Sequence, residues 1–495
     1  MSVKSIILCE DFKELATLWP NGVAPNLFPV DPVKFRQLFA ECPVKKDAES
    51  LKKLRKRMPD AAFWPVLAGL HVLLGYGKKL FPGFACVYGE FVRDEWLSLM
   101  GYHKDFHRDH VVHQPQEALV VKKLLQGLEF DGINHPLSKE MLSATWLHPS
   151  GSKKTKPTAS VSLWDLSAFV LSRGGEKVRY LIDYARDLDV DPLFIKPQTP
   201  MAFRFWRGVV YDAAITAALF HDIGYPVQFL RTVAKGVNKG RISSLLTGGD
   251  DMTLLDQRFA DPLFRFPFRG YRSQRSLPLN HHASAEEREA LQAALKDSHG
   301  LPGAITFLDL NHHVMAHRSP RTLARGRLVL EMAATAIVMH DMQQVFLNRD
   351  DKPAYPGQAR PPLRPYLRVE FLRDPVSFIV TLADQIQNYG RFSAKFFDSS
   401  KKSVRWEPDQ AISGCCVQSS DDGDFLKLTM IYDPDHTGAF FLQMAKFNPE
   451  AQANFFHSNF GYLDYAGLYD QIILDAARAA HFCSRSSHLC KKMAV

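Results

Sequence analysis

Two long segments of this chain, Arg325–Phe346 and Asp374–Tyr389, are apolar nearly all round at helical spacing, yet each carries ionisable side chains in its middle. His340 follows Ala336-Ile337-Val338-Met339 and precedes Asp341, and Asp384 sits in Leu382-Ala383-Asp384-Gln385-Ile386. A helix that is apolar on every face belongs inside a protein. A buried carboxylate is costly unless a cation, an Arg or a metal pairs with it. The chain is therefore expected to be mainly α, with enclosed central helices that bring ionisable groups into the interior for a reason. A third segment, Phe203–Ile223, has small and apolar residues at the same spacing and ends in His221-Asp222-Ile223-Gly224-Tyr225-Pro226. There Gly224 and Pro226 read as a helix stop.

Further histidines share this setting. His113 lies in Arg108-Asp109-His110-Val111-Val112-His113, and His299 in Asp297-Ser298-His299-Gly300-Leu301-Pro302-Gly303-Ala304. The order along the chain is His, His-Asp, His, His, Asp. Imidazole nitrogen with carboxylate oxygen suits Mn, Fe, Ni, Zn or Mg better than a thiolate site would. Other histidines compete. His313 and His317, with His312 beside them, have a metal-compatible i, i+4 spacing and stand as alternatives or additions to His299. His281 and His282 read as a loop, and His103 and His107 as surface.

The 495 residues are 46% hydrophobic and 23% charged, enough for a large core or for two to three domains. The N-terminus lacks the long apolar run of a signal peptide, and no apolar stretch reaches membrane-spanning length. The expectation is a cytoplasmic protein with no membrane partner. The seven cysteines are scattered without a CxxC pair, so neither a disulfide framework nor a zinc ribbon is indicated. The net charge of +8 favours an anionic ligand. Basic residues cluster at Lys52–Arg57, at Lys153–Lys156 and in Arg265–Arg275, where arginines alternate with Phe266, Phe268 and Tyr271. Such runs are usually solvated surface, but the last suits stacking on a nucleotide or a single strand.

Along the chain, residues 1–100 read as a helical region. A core follows over 101–395, with an insertion at about 125–200, and 396–495 read as a small α/β element. Within the core, Asp109–Leu125 is expected to be a helix interrupted at Pro115, Thr145–Thr158 a largely polar segment whose Pro149–Lys154 part is an exposed loop or mobile insertion, and Trp164–Leu188 a helix. Ala283–Lys296 reads as an amphipathic helix and Pro353–Pro365 as a loop. Phe425–Tyr432 alternates like a strand, with Ala439–Met444 expected to pair back on it as a hairpin whose exposed edge would serve a homo-oligomer. Tyr465–Phe482 reads as a closing helix.

Taken together, Arg-Asp-His-x-x-His, His-Asp-Ile-Gly-Tyr-Pro, His-Gly-x-x-Gly-Ala and Leu-Ala-Asp-Gln-Ile-Gln, in this order over roughly 100–395, resemble the HD-domain superfamily of metal-dependent phosphohydrolases. The resemblance implies an all-helical core holding one or two divalent ions. His113, His221, Asp222 and Asp384 would hold the first, and Asp222 would bridge to a second held by His299 and His340. It implies cleavage of a phosphoester, in a nucleotide or cyclic nucleotide, by a metal-activated water. Asp222, His299 and His340 would stand at the reaction centre, and Arg231, Lys235 and Arg269 are the candidates for the remaining phosphate oxygens. Two features depart from the pattern. The span from His113 to His221 is wide, and Glu117 stands where a buried helix would carry an apolar side chain, which makes His110 a substitute for His113. Alternatives on the same residues are a nuclease acting on single-stranded nucleic acid, a di-iron oxygenase and a non-catalytic nucleotide-binding scaffold.

Overall fold

The computed structural model describes residues 5–9, 110–147, 160–225, 299–315, 320–347, 369–387, 392–398, 403–408, 412–420, 424–432, 463–464 and 468–478. Arg231, Lys235, Arg269, the Arg265–Arg275 and Ala283–Lys296 segments, His103, His107, His281, His282 and His317 lie outside them, as does the Pro353–Pro365 loop. So do residues 148–158 of the expected polar segment.

Helix α1 spans His110–Gly127, and the long helix α6 spans Pro200–Phe220. Between them come α2 (Pro136–Ser143), α3 (Leu163–Ser172), α4 (Arg179–Asp187) and α5 (Pro192–Ile195). After α6 the described helices are α7 (Gly300–Met315), α8 (Pro320–Leu347) and α9 (Pro375–Ile386). Helix α6 is the hub, packing against α1, α3, α8 and α9. Its start is set by Thr199, whose hydroxyl accepts from the Ala202 amide at 3.1 Å, with Pro200 at the first helical position. Asp374 and Pro375 start α9 in the same way. From Ala213 to Phe220 every residue of α6 is buried, as a helix apolar on all faces requires.

Two expected helices differ in detail. Helix α1 runs through Pro115 without a break. That proline lies in the second turn, so the bond it removes is close to the first turn, whose amides have no helical acceptor in any case. Trp164–Leu188 divides into α3 and α4, because Gly174 takes a left-handed φ of +68°. A Cβ there would also meet Pro197 Cβ at 2.8 Å, so glycine both ends α3 and admits the proline. Helix α3, in the expected insertion, is buried along most of its length beneath α6 and belongs to the same apolar core.

The β structure is small. A sheet of β1 (Ser5–Cys9), β7 (Ile412–Ser419), β8 (Phe425–Tyr432) and β10 (Gln471–Arg478) runs in that order. The first two pairings are antiparallel and the last is parallel. Short pairs join β2 (Glu129–Phe130) to β3 (Val161–Ser162), β4 (Val369–Glu370) to β9 (Leu463–Asp464), and β5 (Phe392–Asp398) to β6 (Ser403–Pro408). Strand β8 forms as expected, but the closing helix does not: within it Gln471–Arg478 is a strand. Gln471-Ile472-Ile473-Leu474 supplies apolar and β-branched residues to the edge of β8, and that pairing outweighs the helix propensity of Asp475-Ala476-Ala477-Arg478. Ala439–Met444 lies outside the described residues, and both edges of β8 are taken by β7 and β10.

The sheet is joined to the helices by one apolar core, to which Leu8, Cys415, Val417, Leu426 and Leu428 belong. Strand β1 lies on the end of α1, where Gly127 leaves space for Ile6. Buried His135 caps α2 by accepting from the Ser138 amide, and its other ring nitrogen donates to Leu468 O at 3.0 Å. Cys415 and Cys416 are buried free thiols. No helix among the described residues is long and apolar enough to cross a membrane.

Candidate metal centre

Five helix segments meet at one buried place. Helix α1 brings His113 and Glu117, the end of α6 brings His221 and Asp222, and the start of α7 brings His299. Helix α8 adds His340 with Asp341, and α9 adds Asp384. All are buried except Asp384, whose side chain is 21% exposed, so the cluster opens to solvent on the α9 side. Missing side chains make this convergence sterically accessible. A Cβ on Gly224 would fall 1.9 Å from His299 O, and one on Gly300 would fall 2.6 Å from Ile337 O. The chain after α6 thus lies directly on the first turn of α7, which in turn lies directly on α8.

The histidines share one orientation. His113 Nδ1 is bonded to Gln387 Oε1, and Gln387 is held by donating to Gln116 Oε1 at 2.7 Å. His221 Nδ1 reaches Ala218 O at 2.9 Å, and His340 Nδ1 reaches Ile337 O at 2.6 Å. His299 Nδ1 faces Asp341 Oδ2 at 3.1 Å, and the same oxygen accepts from the His299 and Gly300 amides at 2.7 and 3.2 Å. With each Nδ1 occupied by an outer acceptor, the tautomer is set and each Nε2 presents a lone pair inward.

Those inward nitrogens surround Asp222, whose two oxygens divide them. Oδ1 is 3.1 Å from His299 Nε2 and 3.6 Å from His340 Nε2. Oδ2 is 3.2 Å from His221 Nε2 and 4.0 Å from His113 Nε2. On the second side Asp384 Oδ1 completes the group, 3.1 Å from His113 Nε2 and 3.7 Å from His221 Nε2. The Gln114 amide, oriented to donate to Leu219 O (3.1 Å) and accept from the Asp222 amide (3.3 Å), holds the backbone that carries the carboxylate.

The donor set fits a divalent metal. Ligands about 2.1 Å from one ion lie about 3 Å apart at right angles and about 4 Å apart across it. The distances on both sides of Asp222 fall in that range. His299 Nε2 and His340 Nε2 are 3.1 Å apart. In the tautomers set by their outer bonds this brings two lone pairs together, a contact that a shared cation makes favourable. His221 Nε2 is fully buried and takes no hydrogen bond. Two groupings, His113 with Glu117, His221 and Asp384, and His221 with Asp222 and His340, have ligand atoms close enough to share an ion.

Protons play the cation's part in the bare protein. Burial opposes charge on Asp222, but the His221 imidazole and the ring nitrogens of His299 and His340 outweigh it and hold the carboxyl well below its ordinary value. Burial likewise opposes charge on His221, and Asp222 and Glu117 outweigh it, so this imidazole titrates well above its ordinary value. His340 is raised too: burial is overcome by its bond to Asp222. Asp384 is lowered, its burial overcome chiefly by His113. Metal binding would expel these protons, so affinity rises with pH.

The six positions expected from sequence, His113, His221, Asp222, His299, His340 and Asp384, are thus brought together. His110 does not take the place of His113; its ring lies 3.8 Å from that of Tyr225, which stacks at 4.0 Å on His299. Sequence reasoning missed Glu117 as a member, and also Asp341 and Gln387 as the groups that orient His299 and His113. Comparison of the chain with family models, curated proteins and solved structures returns no match.

Proposed function

We propose that this chain is a metal-dependent phosphohydrolase that cleaves a phosphoester of a nucleotide or cyclic nucleotide. The observation that carries the proposal is the division of the Asp222 carboxylate between two sets of inward-facing imidazoles, each fixed from behind. His113, His221, Asp222 and Asp384 would hold one ion, and Asp222, His299 and His340 a second. Bound ions would supply an activated water at neutral pH and offset the charge that develops on a phosphoryl group.

The chain's own residues perform the rest. Asp222 ties the two halves at fixed separation. Asp341, Gln387 and the carbonyls of Ala218 and Ile337 hold the imidazoles in one tautomer, so that no reorientation is needed during turnover. Asp384, whose side chain is 21% exposed, marks the side on which the cluster opens to solvent. The ligand order resembling the HD superfamily and the net charge of +8 support an anionic phosphoester as the substrate.

The test is product release from a panel of nucleoside triphosphates and cyclic nucleotides with Mn, Mg, Ni, Fe or Zn added in turn. Turnover is expected with at least one metal, abolished by chelator, and lowered at least about 100-fold in Asp222→Asn, the scale lost when a transition-state stabilising group is removed. Wild-type protein that is loaded with metal but cleaves no member of the panel contradicts the proposal.

A further inference from the structure

We infer that Glu117 is an additional protein donor to the ion on the His113–His221 side, so that the two halves of the centre are unequal: one nearly closed, the other open. The inference rests on the metal reading above. Glu117 lies one helical turn after His113 on α1 and is fully buried. Neither of its oxygens receives a well-directed hydrogen bond, and Oε2 lies 3.6 Å from His113 Nε2, a ligand-to-ligand spacing. Oε2 is also 2.9 Å from His221 Nδ1. That nitrogen already has the Ala218 carbonyl, just as His340 Nδ1 has the Ile337 carbonyl, so a carboxylate is not needed to fix the tautomer. A buried carboxylate without a well-directed hydrogen bond relies on the cations beside it; in the bare protein that is the His221 imidazolium, and a metal ion would take over the pairing.

With Glu117 included, His113, His221, Asp222, Asp384 and Glu117 make the first half a set of two imidazoles and three carboxylates. The other half has only Asp222, His299 and His340. An ion that prefers six ligands keeps about one open position in the first half and about three in the second. Sites with few open positions hold metal structurally, and open ones exchange water and substrate. The first ion would therefore be the tightly held one, and the second would keep more positions for exchangeable ligands. The carboxylate-rich half also selects harder ions such as Mn over softer ones.

The test is titration of metal-free full-length protein with Co(II), following stoichiometry by calorimetry and coordination number by the visible d–d spectrum. Wild type is expected to bind two unequal equivalents, the first giving the weak absorption of five or six ligands. Glu117→Gln keeps the shape and an acceptor for His221. It is expected to lower the affinity of the first equivalent at least about 10-fold and to intensify its spectrum, leaving the second unchanged. A Glu117→Gln titration and spectrum identical to wild type overturns the inference, because Glu117 is then an acceptor only. So does an intense, four-coordinate first equivalent in wild type, a reading that needs no variant. Wild type that binds no Co(II) overturns the metal reading itself.

Discussion

Asp341 shows how much of the centre depends on a residue that would touch neither metal nor substrate. One carboxylate oxygen takes the His299 and Gly300 amides and faces His299 Nδ1, so the same group caps the start of α7 and sets a ligand's tautomer. Replacement by Asn keeps the shape and removes the charge. Asp341→Asn is expected to weaken the metal on the His299–His340 side about 10- to 100-fold and to leave the His113–His221 side intact. Equilibrium dialysis against Mn distinguishes this from equal loss at both sides, which would mean a general loosening of the fold. Asp341 was legible in principle, because it follows His340 as Asp222 follows His221. Glu117 was legible through its i, i+4 relation to His113, which puts both on one face of α1. In sequence it reads as an oddity, because a buried helix ordinarily carries an apolar side chain there and a lone sequence does not show that this carboxylate faces His113 and His221. Gln387 had no such signal, since an amide at the end of α9 reaches α1 only through the fold.

Among elements, the helices with strong apolar periodicity, α6, α8 and α9, were legible to within a few residues, because their burial and their pattern agree. The C-terminal strand β10 was not, because its local propensity and its place beside β8 conflict. A titratable link ties that sheet to the helices. His135 accepts at Nδ1 from Ser138 and donates at Nε2 to Leu468 O, so it is neutral in the fold. Burial lowers its pKa below the ordinary 6.5, partly offset by the Leu468 carbonyl. The folded state therefore binds fewer protons here than the unfolded one. The contribution is fully present above pH 6.5 and is lost as pH falls through that value toward the folded pKa. His135→Asn can still cap α2 but does not titrate. Urea midpoints measured between pH 8 and 5.5 are expected to fall more steeply in wild type than in this variant; equal slopes would show that His135 carries no such linkage.

At the scale of the molecule, the described helices enclose one place where imidazoles and carboxylates gather from α1, α6, α7, α8 and α9, segments scattered over more than half the chain. Interior space in a helical core is normally apolar, and burying so many ionisable groups costs stability unless each is compensated. Metal ions would compensate them together, which is why the whole account stands on metal binding. The most direct measurement is metal content by elemental mass spectrometry, on wild type beside Asp222→Ala and Asp384→Ala. The account predicts one or two equivalents of divalent metal in wild type. It predicts a marked loss in both variants, deeper in Asp222→Ala because that carboxylate faces both halves. A wild-type protein without metal, even after incubation with Mn, Ni or Mg, would contradict it.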